Sequence, residues 1–238
     1  MTPRDVFNAG AFGAMTVGFA APSIVIAPLA PLRMTQVARS WARTVVSTCG
    51  VQVEAEDFDR PLPHPAYVVL SNHTSHFDVV AIYSRFPRDL FPVAKRELGK
   101  IPVFGWALRS GAAIMIDRGD RGRAKASIDA AAAAVRGGRS VLMFPEGTRS
   151  AGHELGPFKK GPFHLATAAR VPVLPLAVLG ASDVLEPHDW RIKPGRITVR
   201  MGRPIETDGY SDDKAGRDAL AATVNGAMRA LIEQRDPP

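Results

Sequence analysis

From Gly50 onward, short apolar runs of strand length alternate with stretches that carry apolar residues at helical spacing. A chain patterned in this way builds βα units, because each strand needs a helix to cover its apolar face. Strands are expected near Val51–Glu54, Ala66–Ser71, Phe91–Ala94, Ala112–Asp117, Ser140–Phe144, Val173–Leu179 and Arg196–Met201. Helices are expected near Val79–Phe86, Val103–Ser110, Gly122–Arg136, Pro162–Ala169 and Ser211–Gln234. In the last of these, Leu220, Val224, Ala227 and Leu231 fall on one stripe, the mark of a packing face. No repeat or linker divides this stretch. The expected architecture is therefore an α/β domain over residues 51–238, with a central mixed, largely parallel sheet flanked by helices.

Ahead of it, residues 1–50 read as an apolar helical segment for membrane attachment. Between Asp5 and Arg33 there is no charged residue, and the run is long enough to cross a hydrocarbon core of about 30 Å. Pro22, Pro28 and Pro31 interrupt it, so two short helices and one spanning helix are both compatible with the sequence. The next stretch sets Val37, Trp41, Val45 and Val46 near one helical face with Arg39 and Arg43 between them, as an interfacial helix does. A cleaved leader fits less well, because Asp5 is acidic and no basic cluster precedes the apolar run.

The formal net charge of +7 favours a phosphate-bearing or otherwise anionic partner. Nucleic acid is disfavoured by an aromatic content of 7%, by the apolar N-terminus and by the lack of any finger, RNP-like or basic-zipper pattern. Cys49 is the only cysteine, which excludes an intramolecular disulfide and a cysteine-cluster metal site.

Polar residues concentrate where strands end. After Tyr67-Val68-Val69-Leu70 comes Ser71-Asn72-His73-Thr74-Ser75-His76-Phe77-Asp78, at the strand edge where open α/β sheets place ligands. His73 suits removal of a hydroxyl proton, provided that a carboxylate on its other ring nitrogen fixes the tautomer. Asp78 meets that need if a helix begins near Ser75; a purely structural pair, or a helix cap, is the alternative. A second polar run, Pro145-Glu146-Gly147-Thr148-Arg149-Ser150, follows Val141-Leu142-Met143-Phe144. Gly147 admits close backbone approach, Thr148 supplies a hydroxyl, and Arg149 offers a planar fork for phosphate oxygens. Glu146 would then bond a glycerol hydroxyl or hold Arg149. Arg118 and Lys95, each at the end of an expected strand, are further phosphate candidates, although surface cations there are common.

In order along the chain these runs resemble the glycerolipid acyltransferase family that includes the 1-acylglycerol-3-phosphate acyltransferases. The resemblance covers about Val51 to Pro204 and rests on four blocks. They are Asn72-His73-Thr74-Ser75-His76-Phe77-Asp78, Gly111-Ala112-Ala113-Ile114-Met115-Ile116-Asp117-Arg118, Phe144-Pro145-Glu146-Gly147-Thr148-Arg149-Ser150 and Val171-Pro172-Val173-Leu174-Pro175-Leu176. It implies that His73 is the general base, that Asp78 is its partner, and that Arg118 and the Glu146–Arg149 turn hold the phosphate and glycerol of the acceptor. Pro172 and Pro175 would help shape the acyl-donor side. The implied donor is acyl-CoA or acyl carrier protein, with no cofactor or metal, and the implied product is phosphatidic acid at the cytoplasmic face of the plasma membrane. Thr74 and His76 depart from many relatives, which leaves the acceptor open among lysophosphatidic acid, glycerol-3-phosphate, a lyso-ornithine lipid and other lysolipids. A metal-dependent hydrolase using His73, His76 and Asp78 is the outside alternative, and the sequence offers it no further ligand cluster.

Overall fold

The computed structural model describes the whole chain except residues 1–2, 31–32, 118–120, 151–154, 188 and 235–238. Seven strands form one sheet: β1 (Val51–Glu56), β2 (Val68–Ser71), β3 (Phe91–Lys95), β4 (Ile114–Ile116), β5 (Val141–Met143), β6 (Val173–Leu179) and β7 (Gly195–Met201). Their order is β1-β7-β6-β2-β5-β3-β4, and every neighbouring pair is parallel except β6 and β7. The sheet is thus mixed and mostly parallel, as the sequence pattern predicts.

Eight α-helices accompany it among the described residues: α1 (Pro3–Leu29), α2 (Arg33–Cys49), α3 (Phe77–Arg85), α4 (Phe104–Ala107), α5 (Arg121–Arg136), α6 (Gly161–Ala169), α7 (Ala181–Val184) and α8 (Lys214–Glu233). Successive strand residues face opposite sides, and the two cores follow that alternation. Val69, Leu142, Leu174 and Leu176 join Ala42, Val45 and Cys49 of α2 and Val80 and Ala81 of α3 on one side. Val68, Leu70, Val141 and Val173 join Ile128 and Val135 of α5, Phe163 of α6 and Leu220, Val224 and Met228 of α8 on the other. The α8 stripe ends on Met228, while Ala227 and Leu231 are half-buried.

The apolar N-terminal run folds as one helix, α1, with Pro22 inside it. A proline removes one backbone donor, and here that loss falls in a helix whose neighbouring Phe19 carbonyl gains the Ser23 hydroxyl at 2.7 Å. Residues Val6–Ala27 are long and apolar enough to cross a membrane.

Contacts along its length lay α1 across one edge of the sheet. Asn8 Nδ2 donates to the Ile192 carbonyl at 2.8 Å, in the loop before β7. Phe12 stacks on Phe77 at the start of α3, with centroids 6.5 Å apart. Near the other end, Ser110 Oγ, between α4 and β4, donates to the Ser23 carbonyl at 3.3 Å. This is the edge at which β2, β3, β4, β5 and β6 end and β7 begins.

Candidate active site

The loop after β2 is fixed by side chains that stand in for backbone. Asn72 Nδ2 donates to the Val178 carbonyl at 2.8 Å, and Val178 N donates to Asn72 Oδ1 at 2.7 Å, so its amide continues the β2–β6 ladder past the strand end. Ser75 Oγ donates to the Leu185 carbonyl at 2.7 Å and accepts from Phe77 N at 3.0 Å. These bonds turn the chain into α3 with Asp78 in its first turn, where a negative charge meets the positive end of the helix dipole.

Asp78 is fully buried. Its Oδ2 lies 2.9 Å from His73 Nδ1 and accepts the backbone N–H of Thr74 at 2.8 Å and of Ser75 at 2.9 Å. An oxygen meeting two N–H donors is an acceptor, so the Nδ1 of His73 carries the proton and its Nε2 keeps a free lone pair. Burial pushes the Asp78 carboxyl above its ordinary value, while the bonds from His73, Ser75 and Thr74 pull it down. His73 itself is 17% exposed, open on one side. Its ring stacks on Phe144, with centroids 4.0 Å apart and planes at 19°. That contact fixes the plane of the imidazole. Sequence reasoning included Phe144 in its block but gave it no task.

The turn after β5 is tied to the histidine loop through the main chain. Glu146 is buried: Oε1 accepts His73 N–H at 2.9 Å, and Oε2 accepts Gly156 N–H at 3.0 Å. The sequence reading offered this carboxylate to a glycerol hydroxyl or to Arg149, and the structure gives both of its oxygens backbone donors. Ser150 N donates to the His73 carbonyl at 2.8 Å, closing the connection from the other side. Gly147 has φ +76°, a conformation that lets the turn reverse and that a side chain would strain.

These bonds bring His73, Asp78 and the Glu146–Ser150 turn together at one edge. Thr148 is exposed and Arg149 half-buried in the same turn, and no ion pair among the described residues engages Arg149. Lys95 stands exposed at the end of β3, on the same edge. Pro175 is buried within β6 beside Leu70, and Pro172 precedes β6 at the opposite edge, where its carbonyl accepts Val68 N at 3.0 Å. Arg118 lies outside the described residues. His76 stacks on Trp190, with centroids 6.5 Å apart. No group of three or more His, Cys, Asp or Glu among the described residues is arranged to hold a metal ion.

Comparison with known proteins agrees with this geometry. The profile of the Acyltransferase family matches residues 51–179, more than half of the chain, including His73, Asp78 and the Glu146–Ser150 turn. The mouse 1-acyl-sn-glycerol-3-phosphate acyltransferase alpha is 34% identical over 187 residues, covering 78% of this chain and 65% of that protein. The Salmonella typhimurium 1-acyl-sn-glycerol-3-phosphate acyltransferase is 35% identical over 169 residues, covering 71% of this chain and 66% of its own. For the Saccharomyces cerevisiae 1-acyl-sn-glycerol-3-phosphate acyltransferase the identity is 33% over 183 residues, with 72% and 60% covered. This chain thus spans slightly less than two thirds of each. The crystal structure of the 1-acyl-sn-glycerophosphate (LPA) acyltransferase PlsC from Thermotoga maritima superposes with a TM-score of 0.77 over 98% of both chains, at 21% identity, and so shares the fold. With a family profile that spans β1 to β6 and encloses the His73–Asp78 pair, this chain belongs to the Acyltransferase family.

Proposed function

We propose that the chain is a membrane-associated O-acyltransferase that moves a fatty acyl group from acyl-CoA or acyl carrier protein onto the free hydroxyl of 1-acylglycerol-3-phosphate, giving phosphatidic acid. The observation that carries this reading is the 2.9 Å contact between His73 Nδ1 and the buried Asp78 carboxylate. It leaves Nε2 with a free lone pair for an acceptor hydroxyl.

The acceptor hydroxyl donates to His73 Nε2 and loses its proton there as its oxygen attacks the thioester carbonyl carbon. Asp78 stabilises the imidazolium that forms. When the tetrahedral intermediate collapses, the C–S bond breaks and the departing sulfur takes the proton back from Nε2, so the products are an ester and a free thiol. A thioester is already activated, so neither a metal nor a cofactor is needed for this sequence of steps. Arg149, with the Thr148 hydroxyl of the same turn, would hold the acceptor phosphate, with Lys95 adding charge from the end of β3.

Membrane attachment is supported by the build of α1. Its inward face mixes Asn8, Thr16 and Ser23 with Phe12, Ala20 and Ala27, and its outward face shows Val6, Phe7, Val17, Val25 and Leu29. A water-facing helix has the opposite arrangement. Because α1 is tied to the catalytic edge from Asn8 to Ser23, it rests along the bilayer at the cytoplasmic face instead of leaving the domain to span it.

The test is product identification after incubating the purified chain with a labelled palmitoyl thioester and lysophosphatidic acid, glycerol-3-phosphate or a lyso-ornithine lipid. Label in phosphatidic acid with the first acceptor alone is the expected result. Transfer to another acceptor would reassign the substrate, and transfer to none would sink the reading.

A further inference from the structure

We infer that residues 95–109, from the last residue of β3 to just past α4, form a second membrane-docking surface that seats the catalytic domain on an anionic lipid bilayer beside α1. The inference rests on the membrane attachment proposed above for α1, and it assigns to the domain itself a contact that α1 alone would otherwise make.

Outside α1, the large hydrophobic side chains exposed among the described residues are Leu98, Ile101, Trp106 and Trp190. Three of the four fall within one short segment, at 39%, 44% and 46% exposure. Lys95, Arg96, Lys100 and Arg109 surround them, all exposed, with Glu97 as the single acid. Arg96 pairs with Asp117 at 3.4 Å, whereas Lys95, Lys100 and Arg109 have no ion pair among the described residues. An aromatic and two aliphatic side chains exposed in one segment with four basic ones match the boundary of an anionic membrane, where indole sits at headgroup level and basic side chains meet lipid phosphate.

The segment is folded to show these residues. A 3-10 turn over Arg96–Lys100 follows β3. Phe104 N then donates to the Pro102 carbonyl at 2.7 Å, closing a γ-turn around Val103 at φ +61°. A β-branched residue is strained there, and the turn holds Ile101 out on one side of it. Gly105 packs α4 directly on the preceding turn: a Cβ on it would lie 2.4 Å from the Leu98 carbonyl oxygen. Leu98, Ile101 and Trp106 are therefore presented by one tightly packed unit.

That unit packs against the inward side of α1 near its C-terminal end. Ser110 donates to the Ser23 carbonyl, and Gly111 approaches the Ala27 backbone, in the half of α1 that exposes Val25 and Leu29. The segment follows β3 at the edge that carries His73, so a bilayer against both elements meets the site directly. A lipid acceptor would enter from the membrane plane without crossing water.

The experiment places single cysteines in the full-length chain, at Leu98→Cys, Ile101→Cys or Trp106→Cys, each carrying a nitroxide. Val17→Cys and Val25→Cys report α1, and Asp208→Cys, exposed at the opposite edge, reports water. The native Cys49 is buried, and its thiol is pushed up to about 11, so it stays unlabelled. Collision with oxygen and with a water-soluble nickel chelate is measured on vesicles of phosphatidylcholine and phosphatidylglycerol. The expected result is that positions 98, 101 and 106 favour oxygen as positions 17 and 25 do, while position 208 favours nickel. Nickel preference at 98, 101 and 106 beside oxygen preference at 17 and 25 overturns this inference and leaves the α1 reading standing. If those three positions are shielded only when acyl carrier protein is added, the surface docks an acidic protein, and the inference again fails. Nickel preference at all positions removes both readings.

Discussion

Helices α8 and α1 are the two longest among the described residues, and they show opposite things to their surroundings. α8 buries Leu220, Val224 and Met228 completely and shows water Lys214 and Asp218, which pair at 2.9 Å. Its first turn is capped by Asp213, whose Oδ1 accepts Gly216 N at 2.8 Å. α1 turns Asn8 and Ser23 inward beside Ala20 and Ala27, and sets Val6, Val17, Val25 and Leu29 outside. The contrast extends to the sheet edges each helix serves. On the α8 side the core is apolar and its burial contributes stability in water. Around the His73 loop, burial also falls on Asn72, Ser75, Asp78 and Glu146, whose worth lies in the geometry that they hold. Substitutions on the two sides should therefore separate activity from stability.

The largest effect belongs to His73. His73→Ala should lower the rate constant of transfer by about 10²- to 10⁴-fold, the usual worth of a general base, with an unchanged melting temperature. Parallel steady-state rates and thermal melts check this, and a variant retaining a third of the activity would break the comparison.

Asp78→Asn comes next, because an amide at Oδ2 no longer forces the Nδ1–H tautomer of His73. It also sharpens the stability half of the contrast. Burial raises the Asp78 carboxyl, so the folded chain holds that proton more tightly than the unfolded chain does. The contribution of the group to stability is complete below its unfolded value, about 3.9, and is lost as pH rises through the folded value. The melting temperature of Asp78→Asn should accordingly gain on that of the wild type as pH rises above about 4, while activity stays low throughout. A difference between the two melting curves that does not change with pH would contradict the cause assigned to the shift.

On the opposite side, Leu220→Ala should cost about 2–5 kcal/mol of stability and leave the Michaelis constant and turnover alone at temperatures where the protein is folded. Denaturant titration beside the activity assay reads both, and a tenfold loss of turnover in the folded variant would show that the two sides are not independent.

The smallest of the four is Arg149→Ala. Loss of a charge-assisted contact of about 1.5–3 kcal/mol should appear mainly as a raised Michaelis constant for the phosphate-bearing acceptor. An unchanged constant would remove Arg149 from the phosphate site.

All seven strands are legible as short apolar runs, and their observed limits lie within a few residues of those expected. β4 is the shortest relative to its run, because Leu108–Ala112 are taken up by a wide helical turn with Gly111 at φ +118°. The 3-10 turn at Arg96–Lys100 and the four-residue α7 have too few residues to show a period, so pattern alone misses them. The antiparallel entry of β7 between β1 and β6 depends on long connections that strand patterns do not encode. That α1 is a single helix was equally hidden, since prolines argue for a break and only the packed Asn8, Phe12 and Ser23 contacts show what holds it.

In the site, the spacing of His73 and Asp78 is visible in the sequence because one loop and one helical turn join them. The partners of Glu146 are not visible, since His73 N–H and Gly156 N–H reach it from distant parts of the chain. Phe144 was in plain view, but nothing in a strand-ending aromatic announces a ring 4.0 Å from an imidazole.

The central claim is that His73 takes the acceptor's hydroxyl proton during transfer. Thiol release from palmitoyl-CoA by the purified protein in detergent, with and without lysophosphatidic acid and beside His73→Ala, tests it most directly. Release that requires both lysophosphatidic acid and His73 is the predicted result. Release that survives the substitution, or that proceeds equally without the acceptor, would contradict it.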